Sequence, residues 1–241
     1  MTPPRLTTTT RLRAGTSGFS YPAWRGVFYP ERLPANRMLT SYAERLPTVE
    51  LNNSFYRLPK EEHVLSWCSQ VPESCKFAIK APRQISNVKR RRECSEWISK
   101  LQALTALLKD QLAAVLVQLP PNMKCDVERL KTFLGEWGSA HPLAVEFRHP
   151  SWFEHEVLDA LRDHGAALCL GDPEKEEAQA PFERTGEFVF MRFRGESYSE
   201  EALSQWSEKI ATLGVDTYAY FKPAFRGPEF ASRLLELTKT E

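Results

Sequence analysis

Eight short β-rich runs, mostly separated by stretches of helical period, most narrow what this chain can fold into. They are Leu12 to Ser17, Thr48 to Asn52, Lys76 to Ala81, Ala113 to Leu119, Leu143 to Arg148, Ala166 to Leu170, Glu187 to Phe193 and Asp216 to Phe221. Between the third and fourth runs, Cys94 to Leu112 places Trp97, Ile98, Leu101, Leu104, Leu107, Leu108 and Leu112 in an i, i+3, i+4 stripe. Asp126 to Trp137 repeats the pattern with Val127, Leu130, Phe133, Leu134 and Trp137. Fainter helical patterns cover Arg37 to Leu46, Lys60 to Val71, Glu154 to His164, Glu200 to Leu213 and Pro228 to Leu237, the last opening on a proline suited to a first helical turn. Between the sixth and seventh runs, Pro173 and Pro181 bracket a charged segment that reads as a loop or a broken helix.

Strand alternating with helix predicts a parallel sheet, because parallel neighbours need a crossover connection. Eight such units predict an α/β chain closed as a TIM-type (β/α)8 barrel, with an irregular or missing helix between strands 6 and 7. Setting aside residues 1–11 as a flexible tail leaves about 29 residues per unit, near the ~30 of one compact βα crossover and too few for a second domain. Residues 12–241 are therefore expected to form one barrel. An open doubly wound sheet would carry a Gly-rich turn leading into a helix, whereas Gly15-Thr16-Ser17-Gly18 leads into an aromatic, proline-containing loop.

Composition bounds the function classes. With 32 Lys and Arg against 31 Asp and Glu, the net charge of +1 excludes a uniformly basic nucleic-acid binder, and 42% hydrophobic content excludes a disordered chain. The five cysteines are odd in number and contain no C-x-x-C pair, so neither a disulfide framework nor a zinc knuckle is indicated. With no apolar core in Met1 to Thr10 and no long apolar run, the sequence predicts a cytoplasmic protein without a membrane segment.

A barrel makes side-chain parity informative, because successive strand residues face the helices and the interior in turn. The apolar frame, Val49, Leu51, Phe77, Ile79, Val115, Val117, Val145, Phe147, Val189, Met191 and Phe193, should point outward. The same frame then turns Glu50, Asn52, Lys80, Gln118, Glu146, Arg148, Arg192 and Arg194 inward at the carboxyl ends of their strands, the face where barrels place their chemistry. With Asp172 after the sixth strand and Lys222 after the eighth, five cations (Lys80, Arg148, Arg192, Arg194, Lys222) stand against three carboxylates (Glu50, Glu146, Asp172). For Glu50, Lys80, Glu146 and Arg192 the competing reading is internal ion pairing, with Lys80 as the partner of Glu50.

A positive mouth favours an anionic small-molecule ligand, first of all a phosphate, held by Arg148, Arg194 and Lys222. Glu146, His149 and Asp172 are acid/base candidates. Glu50 with Glu146 has the composition of a glycosidase pair, and Lys80 that of a desolvated base or Schiff-base lysine. Trp24, in the long loop after the first strand, and Tyr56, after the second, are candidates for stacking a sugar or base. The loop Pro82 to Arg92 adds Arg83, Lys89, Arg90, Arg91 and Arg92, and supports the alternative of a nucleic-acid-binding barrel. His149 is the one histidine that reaches the mouth, which argues against a multinuclear metal site. No cofactor is expected, with a single divalent ion on Glu146 and Asp172 as the remaining metal option. A Ser17, His149, Asp172 triad lacks the sharp G-x-S-x-G turn.

The motifs Gly15-Thr16-Ser17-Gly18-Phe19-Ser20-Tyr21 with Trp24 and Phe28-Tyr29-Pro30, Val49 to Arg57, Phe77 to Arg83, Gln118 to Pro121, and Ala144 to His149 with Ser151-Trp152 together resemble the YecE-like family, the domain of unknown function number 72. The resemblance spans nearly the whole chain and implies a TIM-type barrel. It implies no reaction, although the likeness of that fold to sugar-isomerase and endonuclease barrels points to sugar-phosphate or nucleic-acid chemistry by analogy. The departures from the family pattern lie at the mouth. Asn87 stands where a His is common, Arg192-Phe193-Arg194-Gly195 replaces a run towards His-Gly, and Phe221-Lys222-Pro223 replaces a run into Asn-Asn or Asn-Asp. Two histidines are absent and two cations added.

Overall fold

Each of the eight runs forms a strand in the computed structural model, which describes residues 11–86, 91–174, 177–222 and 224–238, with the backbone alone for 91–93. The strands are β1 (Leu12–Ser17), β2 (Thr48–Leu51), β3 (Lys76–Lys80), β4 (Leu112–Gln118), β5 (Leu143–Glu146), β6 (Ala167–Asp172), β7 (Val189–Phe193) and β8 (Thr217–Phe221). All neighbours pair in parallel in chain order, and β8 returns to β1 with Gly15 opposite Tyr220, so the sheet closes as a TIM-type barrel. The tail expected over residues 1–11 lies, up to residue 10, outside the described residues.

The helices follow the periodic stretches: α1 (Met38–Ala43), α2 (Glu61–Gln70), α3 (Arg83–Ser86), α4 (Arg91–Ala106), α5 (Val127–Trp137), α6 (His155–Asp163), α7 (Glu200–Ala211) and α8 (Gly227–Leu237). Two boundaries correct the sequence reading. The stripe expected to run as helix to Leu112 stops at Ala106, because Lys109 adopts φ +50° and the chain turns into β4 at Leu112 itself. The loop expected over 82–92 contains α3 and the start of α4. As expected, the described residues between β6 and β7 carry no helix. No helix among the described residues is long and apolar enough to cross a membrane.

The parity frame divides the core in two. The outward set joins the helices in one layer, where Val49, Phe77, Val115, Val145, Met191 and Phe193 are buried. The barrel interior holds Ala78, Ala114, Leu116, Ala144, Ala167, Cys169, Phe190, Tyr218 and Tyr220. Alanines on β3 to β6 leave room that the large rings of β7 and β8 fill, which keeps the interior close-packed. Above this plug the inward positions are polar, so burial below and polarity above fix the height at which the mouth begins.

Gly171 shows how tightly that mouth is built. It lies opposite Arg192 with φ +112°, and a Cβ there would meet the Arg192 carbonyl oxygen at 2.2 Å. Gly171→Ala is expected to destabilise the protein by about 2–3 kcal/mol through backbone strain and displacement of β7. An unchanged midpoint in urea unfolding would contradict this.

Candidate functional site

Arg192, on β7, reaches across the barrel to carboxylates on two non-neighbouring strands. Its Nη2 donates to Glu50 Oε1 of β2 at 2.9 Å, and its Nη1 donates to Glu146 Oε2 of β5. Glu50 has no solvent exposure and Arg192 is 4% exposed, so the bridge formed by this trio is buried on the side of β2 and reaches solvent only slightly at Glu146. Glu50 Oε2 and Arg192 Nε have no hydrogen-bond partner among the described residues. Such unpaired buried atoms are uncommon in folded proteins.

Because Arg192 takes both carboxylates, Lys80 is left without the partner expected for it. Its Nζ donates to the neutral Oε1 of Gln118 at 2.7 Å and lies 4.7 Å from the centre of the Phe55 ring. Ser54 sets this arrangement, since its hydroxyl donates to the carbonyls of Lys80 at 2.6 Å and Leu51 at 3.2 Å, fastening the Asn53–Phe55 turn against the end of β3. Burial, followed by the nearby Arg192 guanidinium, pushes the Lys80 ammonium below the ordinary lysine range, against the opposing pull of Glu50 and Glu146.

The remaining cations divide into two kinds. Arg194 has a 9% exposed side chain and donates to Ser17 Oγ at 3.3 Å, with Glu50 Oε1 at 3.8 Å. Arg148 is instead met by Glu177, which is 10% exposed, and by Glu174 at 3.7 Å. Lys222 pairs on the rim with the exposed Glu196 at 2.6 Å. The carboxylates of Glu174 and Glu177 come from the connection between β6 and β7, which Gln179 ties down by donating to the Gly171 carbonyl at 2.6 Å. The positive excess counted from the sequence therefore shrinks, because Glu177, Glu174 and Glu196 were left out of it. The acidic run 174–177 between two prolines was the signal that could have supplied them.

Several other candidates are placed elsewhere. Asp172 has the outward parity and bonds with Tyr198 and Trp206; burial raises its carboxyl pKa while those two hydrogen bonds oppose the rise. His149 Nδ1 accepts the Ser151 backbone N–H at 3.2 Å and is 2.8 Å from the Ser151 hydroxyl, which makes it the cap of the Pro150–Trp152 turn. Ser17, His149 and Asp172 thus belong to three separate networks and do not form a triad. Glu146 and Asp172, the carboxylates considered for a single divalent ion, line one cavity of about 30 Å³, but Arg192 holds the first and Tyr198 and Trp206 the second. No cluster of three or more His, Cys, Asp and Glu suited to a metal ion occurs among the described residues.

Trp24 is 1% exposed and packs against Tyr21 at 4.7 Å, with its indole N–H directed at the Ala224 carbonyl at 3.4 Å. It closes the loop after β1 onto the loop after β8 and presents no free face to a ligand. Tyr56 is 74% exposed, with its ring edge-on to Phe55. Asn52 stays at the inward end of β2 with a buried Oδ1 that has no partner among the described residues. Arg83 is exposed at the start of α3. Of the basic loop, Asn87 and residues 88–90 lie outside the described residues, as do the side chains of Arg91 and Arg92.

A closed barrel with a buried polar cluster at its carboxyl mouth is the architecture of the TIM-type barrel proteins. Within that class the chain belongs to the family described as protein of unknown function DUF72, whose model matches residues 13–241, as the motifs indicated. It is 30% identical over 167 residues to the UPF0759 protein YunF of Bacillus subtilis, a match covering 64% of this chain and 59% of YunF, so the aligned part spans less than two thirds of that relative. It is 25% identical over 209 residues to the UPF0759 protein YecE of Escherichia coli K12, covering 76% of this chain and 77% of YecE. A DUF72 family protein of Thermotoga maritima superposes with a TM-score of 0.80 at 27% identity, over 95% of this chain and 98% of that one. Another, from Enterococcus faecalis, gives 0.80 at 21%, over 95% and 96%.

The buried trio yields a stability prediction. Arg192→Met strands two carboxylates in the barrel and is expected to cost about 3–5 kcal/mol, whereas the triple variant with Glu50→Gln and Glu146→Gln recovers most of that loss. Urea unfolding of both variants checks this, and a single variant as stable as the parent would contradict it.

Proposed function

We propose that this protein is an enzyme acting on a small phosphorylated or carboxylated molecule at the carboxyl mouth of the barrel. The observation that carries this reading is the contrast between paired and underused cations. Arg148 and Lys222 are met by Glu177 and Glu196, and Arg192 by two carboxylates. Arg194 has one long hydrogen bond to a serine and a 3.8 Å approach to an already engaged carboxylate, although a guanidinium carries five donors. Lys80 gives one of its three donors to an amide oxygen. Arg194, with donors to spare at the mouth, is suited to binding an oxyanion, whereas the unpaired Asn52 Oδ1 and Glu50 Oε2 are acceptors suited to a substrate hydroxyl.

Roles follow from position. Arg194 is the anion's charge partner, and Arg148 joins it when Glu177 swings away. Lys80 is the reactive amine or base, with Gln118 and Phe55 holding it in place. Glu146, 12% exposed at its side chain, is the carboxylate nearest to solvent in the trio and the acid/base candidate. The five unpaired cysteines fit a reducing, cytoplasmic setting.

A thermal-shift screen of phosphate esters and small carboxylates tests the reading. A ligand at a hundred times its Kd adds about 2.7 kcal/mol of stability, which for a chain of this size is roughly 5–10 °C. The shift should be lost in Arg194→Ala. If no anion in the screen stabilises either protein, the proposal fails.

A further inference from the structure

We propose that Lys80 is a catalytic nucleophile that forms a Schiff base with the carbonyl carbon of a small aldehyde or ketone carrying a carboxylate or phosphate. This rests on the reading of the mouth as an anion site and names the chemistry performed there. A lysine at a strand end in a charged mouth is ordinarily an ion-pair partner, and as a clamped ammonium it would be unreactive. Lys80 is not clamped. The carboxylates that face it, Glu50 and Glu146, are both occupied by Arg192, and no carboxylate lies within ion-pair distance of its Nζ among the described residues. The other charged groups facing it are Arg192 and Arg148, both cations, which disfavour a third positive charge.

Position adds to reactivity. Lys80 is the last residue of β3, its backbone gripped by Ser54, and its amine is held between Gln118 Oε1 on β4 and the Phe55 face. The amine is therefore fixed at the mouth by neutral groups that need not move when it changes charge. Partial burial and the neighbouring guanidinium outweigh the pull of Glu50 and Glu146 and lower the Lys80 pKa from the ordinary lysine value, which favours the neutral amine that attacks carbonyls. Arg194 on the same mouth offers a charge partner for the substrate's anionic group, which selects a charged carbonyl compound over a neutral one.

In the step itself the Nζ lone pair forms the C–N bond while the carbonyl π pair moves to oxygen; the now cationic nitrogen gives one proton to solvent and the oxygen takes one, leaving a neutral carbinolamine with its nitrogen lone pair restored. A second proton from solvent on the hydroxyl lets it leave as water as the nitrogen lone pair forms the C=N bond, and the iminium nitrogen returns its remaining proton to solvent. Amine and carbonyl compound give imine and one water, with no oxidant or metal required.

Reductive trapping tests this. The full chain is incubated with pyruvate, glyoxylate or dihydroxyacetone phosphate, and separately with uncharged glycolaldehyde, each with sodium cyanoborohydride, and adducts are located by intact mass and peptide mapping. The expected result is one saturable adduct per chain, on Lys80, formed at lower pH and lower concentration than adducts on the exposed Lys60 and Lys100. Arg194→Ala should raise the concentration of charged probe needed for half-labelling, relative to that of glycolaldehyde, by about tenfold or more. Lys80→Met should lose that adduct and keep those on the surface. Labelling of Lys80 no faster than of Lys60 and Lys100 with every probe would overturn the proposal in the unmodified protein, whatever the fate of the variant. If Lys80 labels selectively but equally with charged and uncharged probes, and Arg194→Ala changes nothing, the anion-site reading falls and the nucleophile stands. If anions stabilise the protein in the thermal-shift screen and Lys80 is not labelled, the nucleophile falls and the anion site stands.

Discussion

The bridge from Arg192 to Glu50 and Glu146 is the interaction on which the mouth depends. One guanidinium from β7 donates to carboxylates from β2 and β5, so three strands that share no ladder are braced across the barrel. A buried pair of this kind gains little net stability, because desolvation offsets most of the attraction. What it does is specify. Removing Arg192 leaves two carboxylates without their shared counter-charge, so the geometry around it is held to one arrangement.

The character of the other groups follows from that bridge. Had Lys80 taken Glu50, Arg192 would have been the spare cation, a permanently charged group with no nucleophilic lone pair to offer. The guanidinium has the reach and the forked donors to serve two carboxylates at once, and the lysine, a point charge on a flexible stem, is displaced to an amide and an aromatic face. A group that can change its protonation state is thereby left free, and a group that cannot is used as the brace. The loop between β6 and β7 supplies the complementary feature, with Glu177 covering Arg148 as a tethered carboxylate in the space where an external anion would compete.

Legibility differed between fold and site. All eight strands were readable because their outward faces pack against the helices and so carry an apolar frame of period two. That the described residues between β6 and β7 carry no helix was readable because two prolines and a charge run break the pattern. The inward polar set was readable as the complement of the apolar frame, and Glu50, Lys80, Gln118, Glu146 and Arg192 do meet at the mouth. Trp24 and Asp172 were misplaced for different reasons: Trp24 sits in a loop, where parity does not dictate direction, whereas Asp172 ends β6 and shares the outward parity of Leu168 and Leu170. Trp24 was buried by aromatic neighbours from its own loop, and Asp172 was drawn outward by Tyr198 and Trp206.

The sequence by itself determined the barrel, its order and the list of charges at its mouth, because periodicity and residue size are local properties of the chain. Only the tertiary structure decided which charge pairs with which. That choice depends on reach across the barrel, on relative burial and on carboxylates delivered by a distant loop, none of which is encoded in spacing along a strand. The pairing is what separates Arg192, a structural brace, from Lys80, an amine without an acidic partner.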